Sequence, residues 1–166
     1  MWAAKNGKPD AIIALVNAKA DVNAKAKTGW TALCYAANNL GCTEAAKALI
    51  SNGANVNVSM PWVSLKQKNG KAALGDPDLG GKDTKQGLKD VTILMLAAKE
   101  GNIELTKALI AAKADVNAIC TGSVALGENY SAKTKQTATT IAHSFEHDDV
   151  VAVLMASGAK AIDDIE

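Results

Sequence analysis

The sequence predicts an all-α repeat solenoid whose helix-pair units are joined by two long loops, and three observations carry this. First, four stretches align: AAKNGKPDAIIALVNAKADVNA (3–24), AANNLGCTEAAKALISNGANVNV (36–58), AAKEGNIELTKALIAAKADVNA (97–118) and AHSFEHDDVVAVLMASGAKAI (142–162). Second, apolar residues recur at helical spacing within them, as Leu105, Leu109 and Ile110 do opposite Glu104 and Lys107. Third, the distance between equivalent alanines is uneven: 33 residues from Ala3 to Ala36, 61 from Ala36 to Ala97 and 45 from Ala97 to Ala142. Repeats of this length mark arrays in which each unit buries its apolar face against its neighbours.

Composition fits that class. Hydrophobic residues make up 48% of the 166, but aromatics only 4%. Alanine therefore carries much of the apolar count, which suits closely packed helices. The formal net charge is +1 and all eighteen basic residues are lysine. Neither nucleic acid nor an anionic membrane is favoured, and without arginine there is no planar fork to read guanine. Cys34, Cys42 and Cys120 form no metal-ligand spacing, and their odd number favours a reducing compartment. No run of 18 apolar residues is present, and residues 1–20 lack the apolar core of a signal peptide.

Each unit reads the same way along the chain. The alanine pairs at 3–4, 36–37 and 97–98 are small residues that let neighbouring helices approach closely. After the second helix, Gly53 and Gly158 stand where a left-handed residue ends it. Lys19 and Lys113 occupy that place in units 1 and 3, where a left-handed conformation costs each about 1 kcal/mol.

The last three segments are preceded by TALCY (31–35), TILML (92–96) and TATTI (137–141), and the first three end in Asp21-Val22-Asn23, Asn55-Val56-Asn57 and Asp115-Val116-Asn117. This pattern resembles the ankyrin repeat, a β-turn and two helices with a T-P-L-H-x-A start. The resemblance implies units at about 1–24, 25–57, 58–117 and 118–162, with fingers projecting where one unit meets the next. No unit keeps the full start: Ala32, Ile93 and Ala138 replace proline, and Cys34, Met95 and Thr140 replace histidine. Losing the histidine's hydrogen bonds implies looser junctions but the same stacking. Unit 1 begins at Met1-Trp2, with Ile13 where later units carry Lys47 and Lys107. The expectation is that residues precede Met1 or that something covers this end. Lys160 and Ile162 depart from the ending motif, and with Asp163, Asp164 and Glu166 behind them they read as a cap.

The uneven spacing places one extra residue near Leu40 and two long insertions in fingers spanning about 58–90 and 118–136. Both contain G-x-x-A-L-G, as GKAALG (70–75) and GSVALG (122–127). Because neighbouring units stack, the fingers emerge side by side, and their matching apolar stretches can pair: Val63–Leu65, Ala72–Leu74 and Val124–Leu126. Mutual burial offsets part of the cost of ordering such loops.

Candidate contact residues follow. Trp62, Leu74, Leu79, Leu126 and Tyr130 lie in the fingers, where aromatic residues make interface anchors. The resemblance implies contact positions at Trp30 and, in later units, Val91 and Gln136. It also implies them at the turn residues Asn38, Asn39, Lys99, Glu100, Ser144 and Phe145. Trp2, Tyr35, Leu96 and Ile141 read as packing. Asp76, Asp78 and Asp83 depart from a calcium loop at its key places. His143 and His147 lack the H-E-x-x-H pattern, so a structural role fits them better. Eight lysines against five acids leave the fingers at +3. The resulting expectation is a monomeric, non-catalytic module without cofactor or metal. It binds a protein through the fingers and the concave inner-helix face. A small-ligand site between the fingers, or a spacer in a larger protein, is the alternative.

Overall fold

The computed structural model describes residues 1–60, 63–68, 71–74, 87–122, 125–126, 129–130 and 134–160. Four helix pairs follow one another along these residues. They are α1 (Trp2–Lys5) with α2 (Pro9–Asn17), α3 (Ala32–Ala37) with α4 (Thr43–Ser51), α5 (Ile93–Lys99) with α6 (Ile103–Ala111), and α7 (Ala138–Ser144) with α8 (Asp148–Ala156). The first helices of successive pairs pack in one row, α1 on α3 on α5 on α7, and the second helices in a parallel row, α2 on α4 on α6 on α8. Ala3, Ala4, Ala36, Ala37, Ala97, Ala98 and Ala142 are buried between rows and units. Their small side chains allow this spacing with few aromatic residues. Leu49, Leu109 and Leu154 fill equivalent core places on α4, α6 and α8.

Threonine starts three of the first helices. Thr31, Thr92 and Thr137 accept hydrogen bonds from the backbone N–H of Cys34, Met95 and Thr140, at 3.4, 3.4 and 3.3 Å. The residues standing in for histidine bond back. Thr140 Oγ1 accepts from the Thr137 N–H at 2.8 Å, and Met95 Sδ from the Thr92 N–H at 3.4 Å. Cys34 Sγ lies 3.3 Å from Thr31 Oγ1. Met95 and Thr140 thereby complete reciprocal caps with Thr92 and Thr137, whereas Cys34 reaches only the Thr31 side chain. The extra residue near Leu40 is taken up by a 3-10 turn, Leu40–Cys42, which Asn39 caps at the Gly41 N–H.

The second helices end as anticipated, with Lys19, Gly53, Lys113 and Gly158 at φ of 65°, 84°, 66° and 88°. The next residues tie the units together. Asn23 Oδ1 accepts from the Asn55 N–H at 2.7 Å, and its Nδ2 donates to the Gly53 carbonyl at 3.2 Å. Asn57 does the same to Asp115 and Lys113 at 2.9 and 3.1 Å. Asn117 repeats it on Lys160 and Gly158 at 2.8 and 3.4 Å. Each asparagine is held in turn, its own N–H meeting Asp21, Asn55 or Asp115 Oδ1 at 2.9 Å. One side chain thus satisfies two backbone groups of the following helix end.

Beyond the helices, β1 (Ser59–Met60) pairs antiparallel with β5 (Val91–Thr92). A five-stranded antiparallel sheet combines β2 (Val63–Lys68), β3 (Lys71–Leu74), β4 (Gly87–Lys89), β6 (Cys120–Gly122) and β9 (Thr134–Gln136) in the order β3-β2-β4-β6-β9. A separate hairpin joins β7 (Ala125–Leu126) to β8 (Asn129–Tyr130).

Two substitutions test this architecture by urea unfolding. Asn57→Ala removes both inter-unit bonds from a solvent-exposed site and should lower stability by about 1 kcal/mol. Lys113→Gly relieves a left-handed lysine and should raise it by about 1 kcal/mol. An unchanged midpoint in either variant contradicts the role assigned to that residue.

Candidate functional site

The two fingers meet backbone to backbone. Strand β4 of the first lies antiparallel to β6 of the second, with Leu88 opposite Gly122 and Lys89 opposite Thr121. Among the described residues the contact lies at the finger roots, where Gly122 opens the GSVALG motif. In the first finger, Lys71–Leu74 of GKAALG pairs with β2 of its own finger. In the second, Ala125–Leu126 of GSVALG pairs with its own β8. Among the described residues the expected pairing of matching stretches is not seen: Lys71–Leu74 and Ala125–Leu126 each pair within their own finger, and β4 with β6 makes the join. The arrangement follows from the bridges beneath. Asn57 is the last residue before the first finger, and it holds Asp115 just ahead of the second. With the roots pinned side by side, pairing β4 with β6 requires little further loop closure.

Leu88, Val91, Cys120 and Gln136 are buried under this junction, and Met60 with them. The expectation that Trp30 and Val91 face a partner is corrected here. Trp30 is 1% exposed, and its ring centroid lies 5.2 Å from that of Tyr35. Val91 and Gln136, at the equivalent place in later units, are buried as well. The position is thus buried in all three units, and Trp30 serves packing there. Trp30 Nε1 is buried without a hydrogen-bond partner.

The turn positions after the inner helices are partly open. Asn38, Lys99 and Phe145 are half-buried and Asn39 is exposed. Several already have local work. Asn39 caps the 3-10 turn, Lys99 pairs with Glu100, and Phe145 packs against the core. Asn38 Oδ1 is buried without a partner. Trp62 and Leu79 lie outside the described residues, as do Asp76, Asp78 and Asp83. For Leu74, Leu126 and Tyr130 the backbone is placed in β3, β7 and β8.

His147 packs over Gly101, and its Nε2 meets the Lys99 carbonyl at 3.0 Å. A Cβ on Gly101 would come within 2.7 Å of the imidazole. Cys42 makes the equivalent contact at the junction of units 1 and 2, its Sγ 3.5 Å from the Lys5 carbonyl. Both side chains are links between units, in keeping with the structural reading of His147. Asp148 and Asp149 occupy the first turn of α8, where carboxylates favour the helix dipole. Among the described residues no cluster of His, Cys, Asp or Glu is arranged to hold a metal ion. No helix among them is long and apolar enough to cross a membrane.

The family model for ankyrin repeats in three copies matches residues 1–60, and that for a single ankyrin repeat matches 89–121. Together they cover more than half of the chain. The chain belongs to the ankyrin-repeat family. A search of curated proteins gave no match. Ankyrin repeats are helix-turn-helix units that generally serve protein–protein interaction, and they are generally non-catalytic. The first insertion lies between the two matched regions, so the recognised repeats are the scaffold and the finger is an addition to it.

The root contributes a pH signature. Burial pushes the Cys120 thiol up to about 11, and Asp90 nearby adds to the rise. In the unfolded chain a thiol ionises near about 8.5. Below that pH both states keep the proton. Between there and about pH 11 the unfolded state binds fewer protons, so stability falls as pH rises. Urea unfolding should show a loss of roughly 2 kcal/mol attributable to Cys120 on going from pH 7 to 10.5. Cys120→Ala should lack that component while keeping whatever Cys34 and Cys42 contribute. Equal pH dependence in the two proteins counts against a buried, protonated Cys120.

Proposed function

We propose that this ankyrin-repeat chain is a non-catalytic module that captures a protein partner on a composite surface. That surface combines the joined fingers with the concave inner-helix side of the solenoid. The carrying observation is the β4–β6 pairing of Leu88 with Gly122 and Lys89 with Thr121, which unites insertions from two units in one sheet. Long loops on a rigid scaffold are where binding residues concentrate. Here the sheet limits the entropy lost when such loops engage a partner. Trp62, Leu74, Leu79, Leu126 and Tyr130 supply the finger contacts in this reading. Asn38, Asn39, Lys99 and Phe145 supply those of the inner helices. The +3 balance of the fingers steers an acidic partner toward them.

Affinity capture with quantitative mass spectrometry tests the proposal. The comparison protein lacks residues 61–86 and 124–132, which leaves the root pairs β1–β5 and β6–β9 closed by short turns. Its fold is verified by circular dichroism. The proposal expects at least a tenfold loss of specifically captured partner, about 1.4 kcal/mol or more of binding free energy. Equal capture by the folded, trimmed protein overturns it.

A further inference from the structure

Pairing at the finger roots sorts side chains onto two faces of the sheet. Leu88, Cys120 and Gln136 are buried on one face. Lys89, Thr121 and Lys135 are their neighbours in the chain and are exposed on the other. The register sets these three in one row across the strands, with Lys89 opposite Thr121 and Thr121 opposite Lys135. Neighbouring strands lie about 4.8 Å apart, so the two lysines start about 10 Å apart with the threonine hydroxyl between them.

Among the described residues no carboxylate answers this pair. Lys47 is held by Glu44 and Glu104, and Lys99 by Glu100, whereas neither Lys89 nor Lys135 takes part in an ion pair there. Asp90 follows Lys89 in a left-handed turn at φ of 61°, and its charge is felt at Cys120 on the buried face. The root strands rest on the row of first helices, β5 on α5 and β9 on α7. The exposed acids Glu44, Glu104, Asp148 and Asp149 sit instead on the second helices α4, α6 and α8. The formal net charge of the chain is only +1. Unpaired positive charge is therefore a local property of this sheet face, not of the whole molecule.

We propose that the row is a docking seat for an extended acidic segment of a partner protein. Its carboxylates accept hydrogen bonds from the Lys89 and Lys135 ammonium groups, and the Thr121 hydroxyl donates a further one between them. This rests on the reading of the joined fingers as a binding surface and names the chemistry of what that surface takes. Backbone pairing fixes where the lysines start, so less order remains to be gained on binding. In a polyproline-like segment, side chains three apart share a face at intervals of about 9 Å, close to the separation of the two lysines. Nucleic acid fits less well. A row this short neutralises few phosphates, and the chain contains no arginine.

Fluorescence anisotropy with labelled synthetic peptides tests this. The probe repeats Glu-Pro-Ser and its neutral control repeats Gln-Pro-Ser. At low salt the full chain should bind the glutamate peptide at least about tenfold more tightly than the glutamine peptide, and added salt should narrow the gap. Lys89→Glu and Lys135→Glu together should weaken binding of the glutamate peptide about tenfold or more. Lys8→Glu and Lys107→Glu together make the same change of net charge away from the sheet, and should alter it less than about twofold. Should the first double variant fail to fold by circular dichroism, Lys89→Gln with Lys135→Gln serves instead, with a loss of about threefold or more. Equal losses in the two double variants overturn the proposal. So does a native protein without preference for the glutamate peptide up to about 1 mM, or one that binds an oligothymidylate as tightly. The protein trimmed of residues 61–86 and 124–132 keeps Lys89, Thr121 and Lys135, so it should bind the glutamate peptide as the full chain does. Loss of peptide binding on trimming overturns this seat, whereas unchanged partner capture by the trimmed protein overturns only the composite surface.

Discussion

Everything distinctive in this molecule depends on one side chain used three times. Asn23, Asn57 and Asn117 each reach from the end of one unit to the helix terminus of the next, accepting one backbone hydrogen bond and donating another. Apolar stacking alone would tolerate sliding, because alanine-lined surfaces are smooth and packing is non-directional. A paired donor and acceptor on a short side chain admits one register. The same residue is braced by the carboxylate or amide two places before it, so the bridge is prepared before the next unit arrives.

That register has a consequence for the fingers. Both insertions follow a bridging asparagine directly, and Asn57 binds two residues ahead of Asn117. The roots therefore leave the stack as neighbours. The last strand of the first finger, β4, and the first strand of the second, β6, are close enough to pair, and Val91 and Gln136 are buried beside them. Side-chain packing beneath the roots and backbone pairing between them act together, so that extra chain length becomes an ordered projection at its base. The scaffold and the added surface are mechanically one piece at that point.

Much of this was legible in the sequence. The four helix pairs, the left-handed helix ends at Lys19, Gly53, Lys113 and Gly158, and the side-by-side position of the fingers all follow from alignment and spacing. Other features were not legible, for identifiable reasons. The asparagine ending was visible as a pattern, but its partners lie 30 to 58 residues away and belong to backbone atoms, which no motif displays. Trp30 was read as a contact position because the resemblance implied one there; its burial and its ring contact with Tyr35 are tertiary features that no motif displays. The strand pairing between fingers involves Gly87–Lys89 and Cys120–Gly122, too short and too mixed in polarity to stand out beside the repeated motifs. The substituted histidines suggested looser caps, yet Thr140 and Met95 place an acceptor at the same reach.

The central claim is that backbone pairing at the roots makes the two fingers one structural element. Site-resolved amide hydrogen exchange on the native protein tests it most directly. In the antiparallel register that sets Leu88 against Gly122, amides within 87–89 and 120–122 should exchange slowly and with similar protection, since one opening event exposes both strands. Free exchange at these amides, beside protected helices α5 and α7, would contradict the account.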